Sequence, residues 1–238
     1  MDIVRYRRDG EVAVIEMDDG KRNALSPTML RGLHDAFERA ARERAPVVLT
    51  GRGDIFSAGF DLKVMRSGGL DALRMLRLGF TLPARIATHP RPVVAACSGH
   101  VLAMGLFAAL SCDHVVGARG DFKVAANEVA IGITMPRVAV ALLEHRLTPA
   151  AFQRAVTLSH FFSADEALEA GVFDSLAEPA DVLARALEVA RASTALDMRA
   201  HAASKRRIRR GLLRRLRRGV PLDLADAALL GLRAVARR

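Results

Sequence analysis

Short apolar runs alternate along the chain with longer segments in which apolar residues recur every three or four positions. The runs predict buried strands at residues 12–17, 47–50, 92–96 and 114–116. Between the first two runs, a helix with one buried face is indicated by a capping residue, a first-turn proline and an apolar stripe: Ser26, Pro27, Leu30, Leu33 and Phe37. Strands that alternate with helices are typical of an α/β fold with crossover connections.

The end of the chain follows a different pattern. Residues 163–170 predict a short helix, with a serine cap, an acidic first turn and Gly171 at its end. From about residue 196 onward the pattern is helical only, and we find no internal repeat, low-complexity linker or coiled-coil heptad. We therefore predict a core domain over residues 1–195 and a C-terminal helical module over residues 196–238.

The composition agrees with a compact core, and the excess positive charge lies in the C-terminal residues. Hydrophobic residues make up 51% of the 238 residues, which excludes disordered, collagen-like and disulfide-stapled classes. The formal net charge is +10. Residues 201–238 hold twelve basic and two acidic side chains, and residues 1–200 hold 24 of each sign. The tail alone therefore carries the excess positive charge.

This basic tail allows two interpretations. Within residues 202–218, Ile208, Leu212 and Leu216 form a predicted apolar stripe with arginines around it. Basic amphipathic helices of this kind lie on membrane surfaces or bind nucleic acid. The alternative is a docking helix whose arginines are solvated or contact the phosphates of a ligand.

Cysteine usage and the N-terminal sequence favour a cytoplasmic protein. Cys97 and Cys112 lie in apolar runs, where a free cysteine behaves as a small hydrophobe and needs no oxidising compartment. The first residues lack the apolar segment of a secretory signal peptide. Residues 92–112 are long enough to span a membrane, but the polar turn at residues 98–100 predicts two shorter elements instead.

Three glycine-containing segments, residues 51–62, 98–105 and 127–132, are candidates for chemistry. The first two follow predicted strands and lead into predicted helices. Free backbone N–H groups at such a helix start can hold an anion or a developing oxyanion. The alternative is that Gly59 and Gly105 serve turns only.

Glu128, in the third segment, is the candidate general base. Apolar neighbours would raise its pKa if the segment is packed, whereas an exposed loop glutamate is the alternative. His100 is a weaker candidate, because a lone histidine beside apolar residues is more often structural. The sequence contains no paired-ligand spacing and no nucleotide-binding glycine motif, so we predict neither a metal site nor a nucleotide cofactor held by such a loop.

Taken in order, these segments resemble the crotonase superfamily, also called the enoyl-CoA hydratase/isomerase family. The likeness extends over nearly the whole chain and rests on residues 21–25, 56–62, 91–99, 110–113 and 163–171. It implies an α/β fold with a crotonase-like repeated ββα spiral core and a C-terminal helical module, assembled as homotrimers or homohexamers. The implied ligand is an acyl-CoA thioester, with no cofactor besides its coenzyme A. It favours the docking interpretation of the tail, so neither nucleic acid nor a membrane is expected as a partner.

The resemblance also implies roles for individual residues. The backbone N–H groups of Phe60 and Met104 would hold the thioester oxygen. Met104 replaces the middle glycine of the family's triple-glycine turn, so its side chain is expected to narrow the pocket. The substrate pocket would include Phe107 and Pro136, and coenzyme A would contact Arg22, Ala24, Ala58 and Lys63.

The choice of reaction depends on Phe107 and Glu128. Phe107 stands where enoyl-CoA hydratases carry their first catalytic glutamate, and Glu128 matches the second. Hydration uses two carboxylates, whereas Δ3-to-Δ2 enoyl-CoA isomerisation needs one acid/base. The Asn127-Glu128 pair also resembles the single-glutamate isomerases. We therefore expect an enoyl-CoA isomerase of fatty-acid β-oxidation. A hydratase with an atypical site, or a non-catalytic protein that binds acyl-CoA, nucleic acid or a membrane surface, stays open.

Overall fold

The computed structural model describes the backbone of residues 3–236 and the side chains of residues 3–229. The strands in this part of the chain are β1 (Val4–Asp9), β2 (Val12–Met17), β3 (Val47–Thr50), β4 (Ile55–Ser57), β5 (Val93–Cys97), β6 (His100–Leu102), β7 (His114–Ala118), β8 (Val124–Ala125) and β9 (Ser175–Ala177). The α-helices are α1 (Pro27–Arg42), α2 (Leu62–Ser67), α3 (Gly69–Ala87), α4 (Met104–Leu110), α5 (Arg137–Arg146), α6 (Pro149–Leu158), α7 (Ala164–Glu169), α8 (Val182–Ala192), α9 (Met198–Ile208) and α10 (Arg210–Ala236). Short 3-10 helices cover Val129–Ile131 and Ser193–Ala195.

The strands form two sheets, and the chain alternates between them. The larger sheet has the order β1-β2-β3-β5-β7-β9, and β1 is its antiparallel member; the smaller has the order β4-β6-β8. After β3 and again after β5, the chain adds one strand to the smaller sheet and then forms a helix. This is the repeated ββα spiral expected from the sequence, and the prediction of an α/β spiral with C-terminal helices is confirmed.

The central strands are apolar throughout because the larger sheet is covered on both faces. Every residue of β3 and β5 is buried. One face packs against the main core, and the other packs against α8. The four predicted strands are present, although two of them shift or extend by one or two residues. β1 was not predicted, because its three arginines belong to a half-exposed strand at the edge of the sheet. β4, β6, β8 and β9 were not predicted as strands either, since each has only two or three residues.

Local capping signals were interpreted correctly. The Ser26 side chain accepts a hydrogen bond from the Met29 N–H at the start of α1. Ser163 and Glu166 form a capping box at α7. Residues 92–112 fold as two strands and a helix with a turn at residues 98–99. No described helix is both long and apolar enough to cross a membrane.

The C-terminal helices are attached to the core by two carboxylates, the partly buried Asp113 and the buried Asp223. Asp113 accepts from Lys205 Nζ at 2.6 Å and pairs with Arg209 at 3.1 Å. Asp223 of α10 accepts from the backbone N–H groups of Arg137 and Val138 at 3.0 Å each, so it caps the first turn of α5 from another helix. The boundary at residue 196 between two domains stays a prediction.

One expectation about the tail is wrong. Leu212 and Leu216 are buried, but Ile208 is 71% exposed and does not continue their stripe. The reason is that α9 ends at Ile208 and a new helix begins at Arg210, so the helical spacing is interrupted between them. The buried Arg209 occupies the joint and donates to the carbonyl oxygens of Ala87 and Cys112.

We predict that Asp113→Ala lowers the free energy of unfolding by about 3–5 kcal/mol, because Lys205 and Arg209 would stay buried without their anion. Urea unfolding measures the change. The matched control is Asp165→Ala, which removes a carboxylate that pairs with Arg119 at the surface and is expected to cause a much smaller loss. Equal losses in the two variants would contradict the anchoring role of Asp113.

Candidate active site

Two turns of the spiral meet at the candidate oxyanion hole. Gly59 has a φ of +87°. A Cβ atom placed on it would lie 2.7 Å from the Cβ of Ala103 and 3.3 Å from the backbone nitrogen of Met104. Only glycine allows the two turns to approach this closely. The residue after Gly59 is Phe60, so the structure brings the two predicted N–H donors to the same place.

Both donors are free to bind a ligand. Met104 is the first residue of α4, and an N–H group at this position has no acceptor within its helix. Phe60 lies between β4 and α2, and neither N–H donates to a backbone oxygen within the described residues. Ala103 has a φ of +49° and directs the chain into α4. Two converging N–H groups at a helix start are suited to stabilise a developing oxyanion.

Glu128 is a buried carboxylate without compensation. Its side chain is 7% exposed, and within the described part of the chain Oε2 has no hydrogen-bond partner. Burial raises its pKa from the usual 4.5 to about 7. Of the two interpretations of Glu128, the exposed loop glutamate is therefore excluded, and the group can exchange a proton near neutral pH.

The predicted pocket residues lie on the helices that follow these turns. Phe107 is one helical turn beyond Met104 in α4 and is 2% exposed. The Met104 side chain is completely buried in the main core. Pro136 is half-buried and precedes α5. Substrate contact by these three residues stays a prediction.

A groove of about 810 Å³ opens beside the two turns. Of the four residues expected to contact coenzyme A, it is lined by Arg22, Ala24 and Lys63. Ala58 is not in its lining, but its N–H donates to the carbonyl oxygen of Arg22 at 3.1 Å. Lys21 adds a third cation. The groove therefore offers three cations to an anionic ligand, beside the carboxylates of Asp19, Asp54 and Asp61 in the same lining. Glu128 lies outside this lining.

Asn23 is a structural residue of the site that the sequence analysis missed. It is fully buried with a φ of +50°, and its amide donates to the carbonyl oxygens of Ile55 and Phe56. The Ser57 hydroxyl donates to its backbone oxygen at 2.8 Å. These bonds join the turn at residues 21–25 to the turn at residues 56–62. The only sequence signal was an asparagine, a residue type that tolerates positive φ.

Asp19 supports the same turn. Its carboxylate accepts from the backbone N–H groups of Lys21, Asn23 and Ala24. Burial alone would raise the pKa of Asp19, but these three donors together lower it. Asp19 therefore stays ionised and holds the cationic rim of the groove in place.

The structure also bears on the expectations for His100 and for the basic tail. His100 lines the groove, but its Nδ1 accepts from the Lys123 N–H at 2.8 Å, so one ring nitrogen has a structural role. The basic segment at residues 202–218 was expected to be solvated or to contact the ligand's phosphates. None of its described side chains lines the groove of the same chain. Lys205 and Arg209 contact the core instead, and the other arginines are exposed.

The raised pKa of Glu128 gives a stability prediction. Between pH 4.5 and pH 7 the folded state retains a proton that the unfolded state releases, so stability falls as pH rises through this window. The difference amounts to about 3 kcal/mol above pH 7. We expect Glu128→Gln to lack this fall, measured by urea unfolding at pH 4.5 and pH 8. Parallel pH profiles in the two proteins would contradict the buried, neutral carboxyl.

Comparison with known proteins identifies the family. Residues 7–225 match the profile of the enoyl-CoA hydratase/isomerase family. An enoyl-CoA isomerase structure from Mycobacterium tuberculosis is 44% identical with a TM-score of 0.90, covering 94% of this chain and 99% of that one. Another structure of the same protein is described as a probable enoyl-CoA hydratase, at 44% identity, a TM-score of 0.92 and 99% coverage of both chains.

Two further relatives carry different activity names. The human mitochondrial Δ3-Δ2-enoyl-CoA isomerase is 26% identical with a TM-score of 0.91, covering 96% of this chain and 92% of that one. A putative enoyl-CoA hydratase of Thermus thermophilus is 35% identical over 188 residues, 76% of this chain and 74% of the relative. The family match spans most of the chain and accords with the spiral fold. The protein belongs to the enoyl-CoA hydratase/isomerase family.

Proposed function

We propose that the protein is a Δ3-to-Δ2 enoyl-CoA isomerase of fatty-acid β-oxidation that uses Glu128 as its single acid/base. The observation that carries this proposal is a buried Glu128, whose Oε2 has no hydrogen-bond partner among the described residues, in a chain that has a phenyl ring at position 107. The ring can neither hold a water molecule nor transfer its proton. A reaction that needs one proton carrier is therefore favoured over one that needs two.

In the proposed reaction, the ionised Glu128 removes a proton from C2 of a 3-enoyl thioester. The electron pair of the C2–H bond moves into the thioester, and the resulting enolate oxygen accepts from the N–H groups of Phe60 and Met104. Protonated Glu128 then returns the proton to C4 as the double bond shifts to C2–C3. With its pKa near 7, the same group is suited to both transfers.

Coenzyme A is proposed to occupy the groove. Lys21, Arg22 and Lys63 line it and would complement the phosphate charges of the ligand. The chemistry needs no cofactor beyond the coenzyme A of the substrate. Assembly into homotrimers or homohexamers and a cytoplasmic location remain part of the proposal.

The central test is Glu128→Gln, assayed with a 3-enoyl-CoA. Because Gln keeps the shape but removes the basicity, kcat is expected to fall at least about 10²-fold while acyl-CoA affinity stays nearly unchanged. Stopped-flow absorbance of the conjugated product and calorimetry measure the two quantities. Glu169→Gln is the matched control, since this glutamate is exposed at the end of α7.

The hydratase alternative is tested in the same assays, because several relatives are named hydratases. Wild-type hydration of crotonyl-CoA at about 1–10³ s⁻¹ would show that another group replaces the missing glutamate. Retained isomerisation by Glu128→Gln would remove the assigned base. A Phe107→Glu variant that gains hydration would support the proposed division between the two reactions.

A separate prediction concerns the oxyanion hole. Met104→Pro deletes the backbone N–H and is expected to lower the rate by roughly 10²–10³-fold, whereas Met104→Gly keeps the donor and should keep turnover. Circular dichroism must show that the proline variant is folded, because proline also restrains the start of α4. A folded Met104→Pro variant with normal turnover would place the thioester oxygen elsewhere.

A further inference from the structure

The joint between α9 and α10 presents a strongly basic surface. We name it the arginine face; its members are Arg206, Arg207, Arg210, Arg214, Arg217 and Arg218. All six are exposed, and none forms an ion pair within residues 3–229. Arg215, by contrast, pairs with Glu144 of α5. The arginine face is therefore distinct from the cations that attach the C-terminal helices to the core.

The helical spacing collects these charges on one side. Arg210, Arg214 and Arg217 follow at intervals of four and three residues, and Arg218 is adjacent, so they share the outward face of α10. The opposite face carries Leu212 and Leu216, which are buried. The burial of Leu212 and Leu216 against the core therefore also turns the arginines of α10 toward solvent.

This arrangement costs local stability. Like charges four residues apart on a helix repel each other, and cations in the first turn of a helix oppose its dipole. Arg210 and Arg214 are four residues apart, and Arg210 lies in the first turn of α10. The first acidic residue of this helix, Asp223, is buried and caps α5. Folding alone therefore does not account for the arginine face, whereas a polyanionic partner would.

The neighbouring residues indicate which polyanion fits. Ile208 is 71% exposed among the arginines, and Leu222, one turn beyond Arg218, is 50% exposed. Residues 196–238 include no Phe, Tyr or Trp to stack on bases and no Asn or Gln to recognise base edges. Exposed apolar side chains beside arginines are typical of segments that contact the headgroup region of a membrane.

We propose that the arginine face binds the surface of an anionic phospholipid bilayer, with Ile208 entering its headgroup region. The protein would associate peripherally, because anionic lipids attract clustered basic residues over about a Debye length. This differs from the sequence-based expectation that no membrane partner exists. The reason is that docking uses Lys205 and Arg209 but leaves six arginines facing solvent.

Sedimentation of the full-length protein with lipid vesicles tests the proposal. We expect binding to phosphatidylcholine vesicles that contain phosphatidylglycerol, none to pure phosphatidylcholine, and loss of binding at high salt. Replacing Arg210, Arg214, Arg217 and Arg218 by Gln should weaken partitioning by about 10²–10³-fold. Ile208→Ser should weaken it further without changing the net charge.

The matched control removes four other exposed arginines by the same replacement: Arg31, Arg42, Arg74 and Arg185. Its net charge equals that of the first variant, but its arginine face is intact, so it should bind vesicles like the wild type. Equal losses in both variants would overturn the proposal in favour of a general charge effect. Tighter binding to duplex DNA than to anionic vesicles would overturn it in favour of nucleic acid. A raised KM for acyl-CoA in the α10 variant, without vesicles, would assign the arginines to the ligand.

Discussion

The candidate site depends on the close approach of successive turns of the spiral. A Cβ atom on Gly99 would lie 1.7 Å from the carbonyl oxygen of Asp54, and one on Gly105 would lie 2.6 Å from the Cβ of Ser57. Together with the contact at Gly59, these glycines let the segments around β4 and β6 stack without side chains between them. Any added side chain would separate the turns and move the N–H groups of Phe60 and Met104 apart.

The partly buried Asp113 and the buried Glu128 show how environment sets the charge state of the same chemical group. Asp113 meets Lys205 and Arg209, so its charge is balanced and holds two helices on the core. Glu128 meets no cation within the described residues, and burial raises its pKa to about 7. The first carboxylate stabilises the fold only while it is ionised. The second has two protonation states that are close in free energy near pH 7, as a proton carrier requires.

Much of the core could be predicted from the sequence because the determining signals are local. The apolar runs of β2, β3 and β5 and the capping residues of α1 and α7 each lie within a few residues of the element they specify. Glu128 could be singled out for the same reason, since its neighbours in sequence are apolar. The glycine segments predicted free N–H groups at helix starts, although their meeting required the tertiary structure.

The features that the sequence analysis missed are contacts between residues far apart in the chain. Asn23 contacts residues more than thirty positions away, and Asp113 meets cations more than ninety positions away. An edge strand such as β1 lacks the apolar pattern because one side of it faces solvent. The groove likewise combines the turn at residues 21–25 with Lys63 of α2 and His100 of β6. Pairings of this kind leave no periodic signal in the sequence.

The sequence of the basic tail likewise does not reveal which of its cations contact the core. Its arginines and lysine look equivalent in sequence, yet Lys205 and Arg209 are buried beside Asp113 while the arginine face points to solvent. The break between α9 and α10 produces this division, because it turns Ile208 outward and Arg209 inward. One set of cations is neutralised within the protein, and the other is exposed to solvent. Net charge alone does not distinguish these two sets.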